Sequence, residues 1–327
     1  LLNSESKPAR MLSTEQIHQY HNDGFLIVRD LFTNAELQPV IDAIDEKVDA
    51  LARKLYAAGQ ISDLYDSEGF LTRLSYLELS FPGSATLIHT GGTLPHAFAN
   101  IWSSQKLLDI IEQLLGPEIA GHPVWNLRSK TPHNPLATVP WHQDTAYLAA
   151  GSEQTFQPTA WIPLVDANEV NGCMQVVRGG HRGKKVFQHY LENTRGHKDS
   201  WYLYIDECDL PTGDIITCTM NKGSVLLLNN LIPHRSTENF SNIIRWSIDL
   251  RWQRPKEPSG MEGIKEPILM RTAGNPSYRP NWSEWAARSR QVGLHDVLAE
   301  QERLVNEGDT KVSGPWMDRW RRQEFAN

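Results

Sequence analysis

The chain lacks most of what would place it in several large protein classes. Its three cysteines, Cys173, Cys208 and Cys218, are odd in number and have no metal-pair spacing. Neither a disulfide framework nor a zinc ribbon is therefore expected, and a reducing compartment is. A basic excess is also missing. Lys and Arg number 32 against 39 Asp and Glu, a formal charge of −7, which argues against nonspecific nucleic-acid binding. No apolar run reaches membrane-spanning length, and the first residues carry no secretory apolar segment. The ending Phe325-Ala326-Asn327 is not a peroxisomal signal. There is no internal repeat and no low-complexity linker, so a second folded domain is not expected among the 327 residues. A soluble cytoplasmic protein without nucleic-acid or membrane partners is the expectation, its oligomeric state left open.

What is present is a set of polar residues in a patterned frame. Pro140-Trp141-His142-Gln143-Asp144 is answered far downstream by Pro233-His234-Arg235-Ser236 and by Arg245. Two imidazoles and one carboxylate on one side of a metal leave the opposite positions open, the ligand set that suits non-haem Fe(II) oxygenases. Arg245, eleven positions past His234, offers a planar fork for a distant carboxylate. That pairing points to 2-oxoglutarate as co-substrate.

His-x-Asp is weak by itself, since it occurs three times, at His21–Asp23, His142–Asp144 and His197–Asp199. The first copy sits where a helix opened by the capping box Ser13-Thr14-Glu15-Gln16 runs out towards Gly24. The third lies in Leu191–Ser200, rich in charge and turn formers, and reads as a surface insertion. The middle copy is framed by strand-like segments, Val124–Lys130 before it and Thr159–Val165 after it. On a strand His142 and Asp144 would project together, with Gln143 turned away.

A closed β architecture brings early and late strands side by side, so the third ligand is expected from a distant strand. His234 follows the buried-strand pattern Gly223–Asn230 and precedes Ile243–Gln253, the longest alternating segment. There Arg245, Ser247, Asp249 and Arg251 share one parity, and Trp246, Ile248, Leu250 and Trp252 the other. The 92 positions from His142 to His234 leave room for strands around Trp161, Met174–Val177, Trp201–Ile205, Ile215–Met220 and Val225–Leu228. The capping box Thr33-Asn34-Ala35-Glu36 opens a long helix with an apolar stripe at Leu37, Ile41, Ile44, Val48 and Leu51. Ser103–Leu115 has the same periodicity. Beyond Pro255 lie Trp282, Trp285, Trp316 and Trp320, with a helix expected over Asp296–Asn306. These are read as wrapping the barrel, covering its mouth, or forming a subunit contact.

At these residues the chain resembles the phytanoyl-CoA dioxygenase family, over roughly Ser13 to Gln253. The resemblance rests on Trp141-His142-Gln143-Asp144, on Trp161-Ile162-Pro163-Leu164-Val165-Asp166 leading into Asn171-Gly172-Cys173-Met174, on Gly179-Gly180-His181, and on His234-Arg235-Ser236 with Arg245. It implies a mainly β fold with helical additions, a double-stranded β-helix (jelly roll) spanning about 121–255. A helical part over about 12–120 would buttress it, and an extension over about 256–327 would complete a single domain. It also implies Fe(II) held by His142, Asp144 and His234, and 2-oxoglutarate held by Arg245 with help from Ser236, Trp161 and Asn126. O2 would oxidise a small-molecule substrate while 2-oxoglutarate yields succinate and CO2. Halogenating relatives carry a small residue at the position of Asp144, so the resemblance implies hydroxylation. A further contact that is lysine in relatives falls near His89 and Thr90, where this sequence has none.

Duller roles compete at every position. A single histidine is more often surface-exposed or hydrogen-bonded than a ligand, Arg245 could pair with Asp249, Ser236 could cap a turn, and Trp161 could be core. The basic run Arg178, Arg182, Lys184 and Lys185 reads as a solvated loop rather than an anion site. The rival reading is a metal-binding jelly roll without oxygenase activity, a zinc hydrolase or a sensor. It gives Arg245 nothing to do.

Overall fold

The computed structural model describes residues 11–90, 94–192, 200–262, 265–291, 316 and 319–320. The helix expected over Asp296–Asn306 and the His-x-Asp copy at His197–Asp199 lie outside them. Both capping boxes form. The Ser13 hydroxyl accepts the Gln16 N–H while the Gln16 side chain accepts the Ser13 N–H, opening α1 (Thr14–Asp23), which closes on Gly24 in the left-handed region. Strand β1 (Phe25–Val28) follows, and the Thr33–Glu36 box then opens α2 (Asn34–Ala57), which buries Leu37, Val40, Ile44, Val48, Leu51 and Leu55. Three short helices, α3 (Arg73–Ser80), α4 (Ser84–Thr90) and α5 (His96–Trp102), precede α6 (Gln105–Leu115).

The remaining strands are β2 (Ile119–Gly121), β3 (Asn126–Lys130), β4 (Thr159–Pro163), β5 (Met174–Val177), β6 (Tyr190–Leu191), β7 (Leu203–Tyr204), β8 (Ile215–Cys218), β9 (Val225–Leu228), β10 (His234–Ser236), β11 (Arg245–Gln253) and β12 (Ile268–Arg271). Helix α7 (Trp282–Gln291) comes last. All pairings between these strands are antiparallel. The larger sheet runs β1-β9-β4-β11-β2-β12, with β3 also paired to β11; the smaller sheet facing it is β10-β5-β8, and β6 and β7 pair separately. The fold is the mainly β, cupin-like jelly roll with helical additions.

Strand β11 organises this sheet. Along one edge Ser247 to Arg251 pair with Pro163 to Thr159 of β4, and along the other Arg245 to Asp249 pair with Lys130 to Asn126 of β3. Because alternate residues face opposite ways, the even parity of β11 turns outward. Trp246, Ile248, Leu250 and Trp252 join the core shared with α2, α5 and α6. The indole of Trp246 donates to the Phe70 carbonyl and that of Trp102 to the Arg251 carbonyl, which ties α5 and the segment before α3 to this strand. The odd parity faces the smaller sheet. Between the sheets Trp161, Leu226 and Leu228 pack with Met174, Val176 and Cys218.

The structure changes one local expectation. His142 is not on a continuous strand: it makes a single bridge to His234, and Asp144 already opens a 3-10 turn running to Tyr147. Gln143 is turned away, its amide donating to the Lys185 and Leu231 carbonyls. The C-terminal tryptophans divide their work. Trp282 and Trp285 pack on Trp102, whereas the indole of Trp320 donates to the Ala146 carbonyl and Trp316 lies against Tyr147, beside the turn that carries Asp144. No helix among the described residues is long and apolar enough to cross a membrane.

Where the turn before β9 meets the turn before α2, the Phe32 N–H donates to the Gly223 carbonyl at 2.9 Å. Gly223 has φ +92, and a Cβ there would run into the Phe32 carbonyl oxygen. Gly223→Ala is expected to cost about 1–3 kcal/mol, read as a lower midpoint in chemical denaturation. An unchanged midpoint would show that the two turns can separate freely.

Candidate metal centre and the cavity around it

His142 and His234 exchange backbone hydrogen bonds across their bridge, at 3.0 and 2.9 Å, which brings two positions far apart in sequence side by side. Each ring is fixed by its other nitrogen. Nδ1 of His142 donates to the Pro140 carbonyl at 2.8 Å, and Nδ1 of His234 to the Ile232 carbonyl at 3.0 Å. This selects the tautomer whose Nε2 carries a lone pair, the arrangement metal-ligating histidines require. The two Nε2 atoms lie 3.9 and 3.7 Å from Oδ1 of Asp144. One ligand atom from each of the three residues falls within 4.8 Å of the others.

Asp144 divides its oxygens. Oδ2 accepts from the Thr159 hydroxyl at 2.9 Å and from Arg251 Nε at 3.1 Å, leaving Oδ1 facing the imidazoles. Burial alone would raise its pKa, but Arg251 and the two histidines together hold the carboxyl well below the usual range. Burial, followed by the proximity of His234, pushes His142 well below the ordinary imidazole value. At neutral pH the site thus offers a carboxylate at Asp144 and, at His142, a neutral ring with no proton to expel. Two ring nitrogens and a single free carboxylate oxygen, each with its other polar atom already bonded, fit a divalent transition metal.

These residues line a small cavity, about 50 Å³, between the larger sheet and β10-β5-β8. Arg245, Asp249 and Arg251 enter it from β11, Arg128 and Lys130 from β3, Thr159 and Trp161 from β4, Met174 from β5, and His234 and Ser236 from β10. Arg245 is 2% exposed. One of its terminal nitrogens donates to the Ser247 hydroxyl at 2.7 Å, its guanidinium lies 5.1 Å from the Trp161 ring centre, and its Nε has no partner. Burial pushes its pKa down to about 10, which still leaves it charged at neutral pH. Asp249 does not pair with Arg245. Its Oδ2 is taken by Arg128 Nε at 3.2 Å and by the Asn126 amide at 3.3 Å.

The sequence-derived candidates therefore sort into two groups. His142, Asp144, His234, Arg245, Ser236 and Trp161 share the cavity. The hydroxyl oxygen of Ser236 accepts the Val139 N–H at 3.1 Å. Asn126 is not among the lining residues and spends its amide on Asp249. The basic run lies elsewhere, with Arg178 paired to Asp214 and Arg182 donating to the Asn22 carbonyl.

The family model for phytanoyl-CoA dioxygenase (PhyH) matches residues 20–247. The chain belongs to this family. It is accordingly an oxidoreductase of the iron- and 2-oxoglutarate-dependent dioxygenase family. Among its relatives is an ectoine dioxygenase of Bordetella parapertussis, 26% identical over 251 residues, 72% of this chain and 74% of that one. Another is a "Probable alpha-ketoglutarate-dependent hypophosphite dioxygenase" of Stutzerimonas stutzeri, 26% identical over 236 residues, 68% and 74% of the two chains. Among solved structures, the non-heme monooxygenase ThoJ in its apo form superposes with a TM-score of 0.56 at 20% identity, covering 89% of this chain and 98% of that one. That likeness supports the fold.

Among the residues of the PhyH-family cavity that sequence reasoning left without a role are Arg128, Lys130, Thr159 and Arg251. The parity of β11 had placed Arg251 on the inward face, but its partner Asp144 lies 107 positions away. Removing that clamp, as in Arg251→Met, is expected to weaken divalent-metal affinity about 10–100-fold, measured by competition against a colorimetric chelator. Unaltered affinity would mean that the carboxylate needs no such support.

Proposed function

We propose that His142 and His234 through Nε2 and Asp144 through Oδ1 hold Fe(II). In this reading Arg245 receives the far carboxylate of 2-oxoglutarate, and the enzyme hydroxylates a small molecule in the adjoining space. The observation that carries it is Arg245, a charged guanidinium buried in the metal cavity with an unpartnered Nε. Burying such a group without an anion is costly, and a dicarboxylate reaching in from the metal would complete its hydrogen bonds. When bound, iron and 2-oxoglutarate supply the oxidising chemistry, in which the keto acid and O2 give succinate and CO2 and the substrate gains oxygen.

The chain's own residues bind, orient and exclude water. Thr159 and Arg251 keep one oxygen of Asp144 directed at the metal position, and the Pro140 and Ile232 carbonyls hold the two rings. Ser247 fixes the Arg245 fork, and Trp161 supports its flat face. Met174 and Leu228 supply apolar wall, which keeps bulk water from competing for the reacting position. The carboxylate at 144 occupies the place where a smaller side chain would leave room for a halide, which favours hydroxylation. The two relatives described above are named for ectoine and hypophosphite, both small acceptors, which supports a small-molecule substrate.

Anaerobic addition of Fe(II) and 2-oxoglutarate is expected to give a visible metal-to-ligand charge-transfer band, and admission of air is expected to release succinate. Without the band and without succinate, the proposal fails. Arg245→Leu is expected to raise the 2-oxoglutarate requirement by an amount equivalent to about 2–5 kcal/mol, read from the titration midpoint of the band. An unchanged midpoint would remove Arg245 from the co-substrate site.

A further inference from the structure

A second cavity adjoins the first along β3, whose far edge has no strand partner among the described residues. It is lined by residues around α3 and α4, by the loop 134–137 and by Ser200, Trp201 and Tyr202, and it shares Arg128, Ser129, Ala137 and Tyr202 with the metal cavity. Its wall contains a stacked aromatic pair, His89 against Trp201, with ring centres 4.8 Å apart and planes 15° apart. His89 is held there by a hydrogen bond from Nδ1 to the Leu127 carbonyl at 3.0 Å. The acid lining this space, Glu78, is already occupied, accepting the Gly83 and Ala85 backbone N–H groups.

Charge is unbalanced where the cavities meet. The ionisable lining of the metal cavity, histidines aside, comprises Arg128, Lys130, Arg245 and Arg251 against Asp144 and Asp249. Four cations against two carboxylates leave a formal excess of two, or of one if Lys130, whose pKa burial pushes well down, is neutral. A divalent metal and a dicarboxylate bring equal and opposite charges, so loading the site leaves this excess in place. Arg128 stands at the junction. Its Nε is committed to Asp249 and its guanidinium lies 5.4 Å from the Trp201 ring centre, but its buried Nη1 has no hydrogen-bond partner.

Resting on the reading of the first cavity given above, we propose that the second cavity is the substrate chamber, and that the substrate is a small organic acid. Its carboxylate or phosphonate meets Nη1 of Arg128 while its flat or cyclic body lies along Trp201 and His89. The anion relieves the excess positive charge, and the aromatic wall selects the body.

The test is calorimetry on the enzyme loaded anaerobically with Fe(II) and saturating 2-oxoglutarate, with the charge-transfer band recorded in every sample. The probes are phenylacetate, indole-3-acetate and benzylphosphonate, each beside its neutral amide or diester. At least one acid is expected to bind about tenfold or more tightly than its neutral counterpart, with carboxylate and phosphonate arms showing which anion is preferred. Arg128→Gln is expected to erase that preference, and Trp201→Ala to weaken acid and neutral forms alike. If acids and neutral forms bind equally, if no acid binds below about 10 mM, or if Arg128→Gln keeps the preference with the band intact, the proposal is overturned. The comparison in the unsubstituted enzyme stands even if a variant does not fold. Absence of the band would indict the iron and 2-oxoglutarate reading, and this one with it.

Discussion

The structure depends on the strict alternation of β11 between its antiparallel partners β2, β3 and β4. Over nine residues it sends aromatic and aliphatic side chains to the helical layer and Arg245, Ser247, Asp249 and Arg251 to the interior between the sheets. A shift of one residue would exchange the faces, burying guanidinium groups among α2, α5 and α6 and placing indoles in the cavity beside His142, Asp144 and His234. The register is therefore enforced from both sides. The apolar face gains by burial in the core, and the polar face finds partners only inside.

From that strand the electrostatics of the interior spread outward. Arg251 pairs with Asp144 and so orients a carboxylate that belongs to a turn on another segment, while Asp249 is shared by Arg128 and Asn126 from β3. Arg245 is left with only a hydroxyl from its own strand. Arg251 is satisfied by its ion pair, whereas Arg245 has no carboxylate partner and Arg128, though paired through Nε, keeps an unpartnered Nη1; these two groups mark where anionic ligands are proposed to sit. A buried ion pair adds little stability on balance. Its value here is positional, since it fixes which oxygen of Asp144 faces the imidazoles.

The sequence disclosed those parts of this arrangement that are encoded locally or by period. Both capping boxes, the parity of β11 and the apolar strands β4, β5 and β9 follow from patterns a few residues long. The pairing of His142 with His234 rested on residue chemistry and on resemblance, because nothing local reveals a bridge between positions 92 apart. The strand expected through His142 and Asp144 gave way to a single bridge and a 3-10 turn, whose geometry is held by partners elsewhere, Thr145 against Asn230 and Gln143 against Leu231. The short helices α3 to α5 were hidden for a related reason. With seven or eight residues each, they are too brief to show a period, and packing rather than propensity stabilises them. Arg128 and Lys130 were read as part of a strand, and only the structure reveals that this strand borders two cavities.

The most direct test is a crystal structure of the protein grown anaerobically with Fe(II) and 2-oxoglutarate, with anomalous difference density recorded at the iron edge. The account predicts one strong peak within bonding distance of Nε2 of His142, Nε2 of His234 and Oδ1 of Asp144, and a dicarboxylate running from it to the guanidinium of Arg245. An anomalous peak at other side chains, or a co-substrate whose far carboxylate lies away from Arg245, would contradict it.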